Sequence, residues 1–129
     1  MTYLIVFLGA GIGGAARHGV NVLSARLFGT GFPAGTLVIN VLGCLVMGLI
    51  AGAFAFRVHL PQELRLFLTT GILGGFTTFS AFSLDAALLW ERGEVGLAAL
   101  YVGASVIFSL LAVAAGLVMS RYMLAGGAM

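Results

Sequence analysis

Residues Gly71–Ser83 read GILGGFTTFSAFS and lie inside a hydrophobic run long enough to cross a bilayer. An ordinary membrane helix at this place would be built of Leu, Val, Ala and Ile. This one carries Gly71, Gly74 and Gly75, then Thr77 and Thr78, then Phe79 and Phe82 separated by Ser80 and Ala81. Paired glycines weaken a helix by about 1 kcal/mol each relative to Ala. Threonine hydroxyls can hold the backbone groups that a loosened ladder releases. The pattern predicts a broken transmembrane helix whose freed backbone atoms face protein or water, an arrangement that makes ion sites. A Gly-rich helix-packing surface is the competing reading of the same spacing.

Other polar groups stand in apolar surroundings. Asn40 lies within the second hydrophobic run, where an unpaired amide is costly, so it should face the protein interior. It serves either as a helix–helix hydrogen bond or as a pore donor, because its NH2 group offers two donors suited to an anion. Tyr101, Ser105 and Ser109 recur at intervals of four in the last run, so their hydroxyls stack along one face. Such a line is a packing seam or the wall of a permeation path. Arg17 snorkels to the interface or attracts anions. Asp85, a turn beyond the glycine-rich stretch, reads as a solvated vestibule residue, with a proton relay as the lesser reading. His18 has no second ligand near it. Cys44 is the only cysteine, permits no internal disulfide and reads as a small apolar helix residue.

The elements that must position these groups follow from composition. Hydrophobic residues make up 61% of the 129 and charged residues 8%, far below the roughly 25% charge of a soluble domain. The chain is therefore read as an all-α integral membrane protein forming one domain. Its length allows four transmembrane helices, with approximate spans 3–26, 33–56, 64–90 and 95–122 and the interruption in the third. The first run lacks a basic segment ahead of it and is read as a retained helix rather than a signal peptide. Gly9 and Gly13, with Gly11 and Gly14 beside them, let a partner helix come close. Gly35, Gly43, Gly48 and Gly52 do the same for the second helix. Gly29–Pro33 and Glu91–Glu94 are turns, and Arg57–Glu63 is the second loop. Trp90 marks a membrane interface.

The net charge of +2 arises from six arginines and no lysine, too sparse for a nucleic-acid surface. Arg57, Arg65 and Arg121 fall on one side of the membrane, and Arg17, Arg26 and Arg92 on the other. Three against three leaves the positive-inside rule nothing to act on, so the chain can insert both ways and an antiparallel homodimer becomes a natural assembly.

Two strings carry a family resemblance. Gly35-Thr36-Leu37-Val38-Ile39-Asn40-Val41-Leu42-Gly43 is one, and Gly74-Gly75-Phe76-Thr77-Thr78-Phe79-Ser80-Ala81-Phe82-Ser83 is the other and the more specific. With them, and with the arginine late in helix one and the Tyr-x-x-x-Ser-x-x-x-Ser line, the chain resembles the Fluc (CrcB) fluoride channel family over nearly its whole length. The resemblance implies a dual-topology dimer of antiparallel subunits in the bacterial inner membrane, with two fluoride pathways along the interface. It also implies a structural, untransported sodium ion held by backbone carbonyls at the helix-three breaks, for which Gly74 and Thr77 are the matching positions. Phe79 and Phe82 match the family's phenylalanine box, Asn40 its pore asparagine, and Tyr101, Ser105 and Ser109 its polar track; Ser80 is carried with the pathway. Ala81 stands where the family usually has Thr, which removes a pathway hydroxyl, and Asp85 stands for the more usual Glu.

The expected function is passive fluoride export without catalysis. A four-helix multidrug or proton antiporter is the alternative. It would need a carboxylate deep in the membrane, which helix one lacks and Asp85, near an interface, does not supply. A non-transporting assembly subunit is the third possibility.

Overall fold

A computed structural model describes residues 1–56 and 59–128. Arg57, counted above with the arginines of the second loop, lies outside the described residues. Four stretches are apolar and long enough to cross a membrane: Thr2–Phe28, Ala34–Ala55, Gln62–Glu91 and Val95–Leu124. The protein is a multi-pass, all-helical membrane protein.

Helices α1 (Thr2–Phe28), α2 (Ala34–Phe56) and α6 (Val95–Ala128) are continuous. The third span is composite. It begins as α3 (Gln62–Leu66), widens into a π-helical segment (Phe67–Leu73) and tightens again as the short α4 (Gly74–Phe76). Thr77 (φ −81°, ψ 156°) and Thr78 (φ −153°, ψ 120°) are extended, and α5 (Phe79–Glu91) resumes the helix. The two extended residues fall near the middle of a span of 30 residues.

Packing divides the third span between two neighbours. Its first half, the π-helical segment and α4, lies on α1, whereas α5 lies on α6. Helix α2 runs along α6 and also touches α1, and among the described residues α1 and α6 do not meet. Close approach of α1 depends on two glycines. A Cβ on Gly9 would stand 2.7 Å from the Phe67 carbonyl oxygen, and one on Gly13 would stand 2.9 Å from the Phe76 nitrogen. Gly11 and Gly14 face open space. The glycines of α2 do not share one partner as their spacing suggested. Gly35 abuts Asn21 of α1, Gly43 the methyl of Thr77, and Gly48 and Gly52 the Val113–Ser120 stretch of α6.

The core is small: Leu89, Ala98 and Tyr101 are buried, with Phe32, Leu37, Phe82 and Ala86 packed on them. Large apolar side chains such as Phe7, Leu27, Phe108 and Leu110 are exposed, which suits a chain whose outer solvent is lipid. At the end that holds the first and third loops, Arg92 donates to the Gly31 carbonyl at 3.2 Å and pairs with Glu94 at 3.5 Å. Gly93 takes a positive φ of 80° in that turn. At the opposite end the Arg65 guanidinium lies 4.7 Å from the centre of the Phe54 ring.

Candidate functional site

The site is built on the two extended threonines. In a continuous helix the Thr78 N–H would bond the Gly74 carbonyl, four residues back. Here it donates instead to Asn40 Oδ1 at 2.9 Å, while Asn40 Nδ2 donates to the Thr78 carbonyl at 3.0 Å. One side-chain amide thus pairs with both backbone groups of a single residue. The Ala81 N–H, which would have bonded the Thr77 carbonyl, turns to Thr78 Oγ1 at 3.2 Å and so caps α5. Both diversions release an acceptor from the ladder, and the acceptors are the carbonyls of Gly74 and Thr77. On the other side of the interruption, Thr77 remains tied to the end of the π-helical segment. Its N–H and its hydroxyl both donate to the Leu73 carbonyl, at 3.0 and 2.9 Å.

A cleft of about 350 Å³ opens beside this clamp. Asn40 and Cys44 of α2, Phe79 and Phe82 of α5, and Ser105 and Ser109 of α6 are among its walls, together with Thr77 and Thr78. The Phe79 and Phe82 rings lie 5.5 Å apart, as a three-residue helical step places them. Phe79 is 77% exposed, although it is a large aromatic at the cleft. Ser105 is only 5% exposed, and its Oγ is buried without a hydrogen-bond partner among the described residues. A buried hydroxyl left in this state is uncommon and calls for a partner the chain does not itself supply.

Of the residues singled out by sequence, Asn40, Thr77, Phe79, Phe82, Ser105 and Ser109 therefore come together in one cleft. Three others stand apart. Tyr101 does not continue the serine line: it is fully buried, its ring lies between Phe32 and Phe82, and its hydroxyl donates to Asp85 at 3.2 Å. The physical reason is helical pitch, since each four-residue step overshoots a turn by about 40° and two steps carry Ser109 well round from Tyr101. Ser80 is exposed with its Oγ 3.3 Å from Thr78 Oγ1, and it is absent from the cleft walls. Arg17 is half-buried on α1, a helix that contributes nothing to those walls.

Asp85 was expected as a solvated vestibule residue, but it is half-buried and bonded. Its Oδ2 accepts from the Thr36 hydroxyl at 2.7 Å as well as from Tyr101, so the carboxylate joins α2, α5 and α6. Sequence reasoning did not select Thr36, Thr78 or Cys44 for the site. Thr36 and Thr78 sit inside the two quoted strings, and Thr78 has the residue type of a helix N-cap. Cys44 follows Asn40 by one helical turn, a spacing that puts both on one face.

Known proteins resemble the chain along most of its length. It is similar to the fluoride-specific ion channel FluC 2 of Nitrobacter hamburgensis, 58% identical over 123 residues that cover 95% of this chain and 99% of that protein. The fluoride-specific ion channel FluC of Rhodopseudomonas palustris (strain BisB5) is 63% identical over 121 residues, covering 94% of this chain and 98% of its own length. That of Methylobacterium nodulans is 61% identical over 118 residues, covering 92% and 94%. Residues 4–117 match the family described as CrcB-like protein, Camphor Resistance (CrcB). With that match reaching into all four spans, the chain belongs to the CrcB family.

Proposed function

We propose that this protein is a fluoride-selective channel that lets fluoride leave a bacterial cell passively across its inner membrane. It works as a homodimer of two antiparallel copies, and it is not an enzyme. The observation that carries the reading is the composition of the cleft. Its walls carry the Asn40 amide, the unpartnered Ser105 hydroxyl, Ser109 and the Phe79 and Phe82 rings, and no acidic side chain stands among the described lining residues.

Fluoride is a small, strongly hydrated anion, so a pathway must replace its water with closely placed donors. Asn40 keeps one N–H after bonding the Thr78 carbonyl, Ser105 offers an uncommitted hydroxyl, and Ser109 lies one turn further along α6. The edges of Phe79 and Phe82 carry partial positive charge that an anion can approach. Relatives named fluoride-specific channels, more than half identical over nearly the whole chain, support the choice of anion. The exposure of Phe79 supports a second copy, because a ring so placed at the rim gains from being covered. In this reading Arg17 draws anions towards the entrance, Asp85 shapes the vestibule through Thr36 and Tyr101, and Ser80 borders the pathway once the partner closes it.

The carbonyls of Gly74 and Thr77 suit a structural sodium ion. They are hard, neutral oxygens released from the helical ladder, and two antiparallel copies would present four of them. When bound, the ion would offset the repulsion between facing carbonyl dipoles; it is not transported.

Purified protein in fluoride-loaded liposomes tests the proposal with a fluoride electrode. The expected result is efflux without any proton gradient. Efflux that requires such a gradient would favour the antiporter, and no efflux at all would favour an assembly subunit. Replacing Phe79 or Phe82 by Ile should slow efflux at least about tenfold, or 1.4 kcal/mol in barrier, while the dimer persists. Unchanged flux in both variants would remove the rings from the pathway.

A further inference from the structure

We propose that Cys44 is a modification site in the permeation wall: a soft, thiophilic metal ion entering the cleft bonds its sulfur and stops anion passage. The inference rests on the channel reading above and adds an inhibitor class and its point of attack. Cys44 is a free, half-buried thiol, and it lines the cleft one helical turn after Asn40. A second, independent feature marks this cleft as facing a ligand: the Ser105 hydroxyl, buried and unpartnered on the opposite helix. An object fixed to Cys44 therefore shares the cleft with the α2 amide and the α6 hydroxyl that a passing anion would use.

Thiolate sulfur prefers soft metal ions, which the neutral oxygens and amides of the remaining wall bind poorly. Neutral mercuric chloride is the natural probe, since it carries no net charge to keep it out of an apolar setting. The step balances without an oxidant or reductant. A sulfur–mercury bond forms, one mercury–chloride bond breaks, and the thiol proton and a chloride ion leave together. At about 350 Å³ the cleft holds on the order of ten waters, so a bound metal with its remaining chloride, about the size of two waters, acts by its place one helical turn from Asn40 rather than by filling the cleft.

The sequence makes the test clean, because Cys44 is the only cysteine. Fluoride efflux from liposomes would be followed before and after mercuric chloride, then after excess dithiothreitol, with each protein compared to its own untreated rate. Mass spectrometry of the same sample reports the adduct. The expected result is at least a tenfold fall in efflux with one mercury on the chain, recovery with dithiothreitol, and no response in Cys44→Ser. Three results would overturn the inference: no adduct on the folded protein, an adduct with undiminished efflux, or equal inhibition of Cys44→Ser. Absence of efflux from untreated vesicles would instead refute the channel reading, and this inference would fall with it.

Discussion

Replacing Asn40 by Ala removes the side chain that pairs with both backbone groups of Thr78. The two bonds measure 2.9 and 3.0 Å, and Thr78 is 8% exposed, so water does not readily take them over. Leaving a buried donor and a buried acceptor unsatisfied costs about 1–3 kcal/mol each, or roughly 2–6 kcal/mol together. Part of this is recoverable. The orphaned Thr78 N–H can return to its helical acceptor, the Gly74 carbonyl, and regain about 1 kcal/mol. The expected net loss is about 1–5 kcal/mol, read from unfolding in detergent. The recovery also consumes an oxygen assigned to sodium, so sodium should stabilise the variant less than the parent. Efflux should fall at least tenfold. Asn40→Asp separates support from electrostatics. It keeps an acceptor for the Thr78 N–H, so it should unfold less readily than Asn40→Ala. As a carboxylate about 5 Å from a passing anion it would add roughly 3 kcal/mol at an effective dielectric of about 20, a few hundredfold in rate. An alanine variant within about 0.5 kcal/mol of the parent, with full efflux, would refute the clamp.

Three further sets of substitutions probe the neighbouring structure. Thr78→Ala deletes the cap on α5 and should cost about 1 kcal/mol in detergent unfolding, with Thr78→Ser restoring most of it; equal loss in both would show that the hydroxyl is not the cause. Gly13→Ala drives a methyl group into the backbone around Ile72 and Phe76 and should lower the melting temperature or prevent folding, whereas Gly14→Ala, with nothing within 4 Å, should be neutral. Tyr101→Phe and Thr36→Val each remove a donor to the same Asp85 oxygen, so each should cost about 1 kcal/mol and a double-mutant cycle should show coupling above about 0.5 kcal/mol; strict additivity would count against a shared acceptor.

The four apolar spans were legible in the sequence, because bilayer thickness sets a helix length that hydropathy alone reveals. The loss of helical form around Thr77 and Thr78 had a local signal as well, in Gly74, Gly75 and the threonines themselves. What those residues could not announce was the partner that holds them. Asn40 lies 38 positions away in sequence, and its amide could equally have bonded another helix or faced an open pore. Tyr101 misled for a different reason. A four-residue repeat looks like a single line when written out, yet it spirals about 40° per step on a real helix. Its hydroxyl thereby reached Asp85 rather than the cleft. The α2 glycines were read as one face, but they abut α1, the third span and α6 in turn, because α2 is the span that each of the other three touches.

That central position of α2 explains why one asparagine carries so much. The third span begins against α1 and ends against α6, two helices that do not meet among the described residues. A single straight helix packed along α1 would carry its second half past α6. Two extended residues let the chain change neighbours, but each displaced peptide group needs a new partner inside a membrane, where an unsatisfied one costs several kcal/mol. Helix α2 alone among the other spans borders both halves, and Asn40 extends from it to meet Thr78. Thr78 in turn caps the helix that follows. Both repairs satisfy donors and leave acceptors, so the Gly74 and Thr77 carbonyls emerge with no helical partner and the amide keeps one N–H. The geometry that lets the span switch sides thus frees two carbonyl oxygens and brings against them an amide that keeps one donor. In the proposed channel, ion binding would follow from how a membrane helix is persuaded to turn.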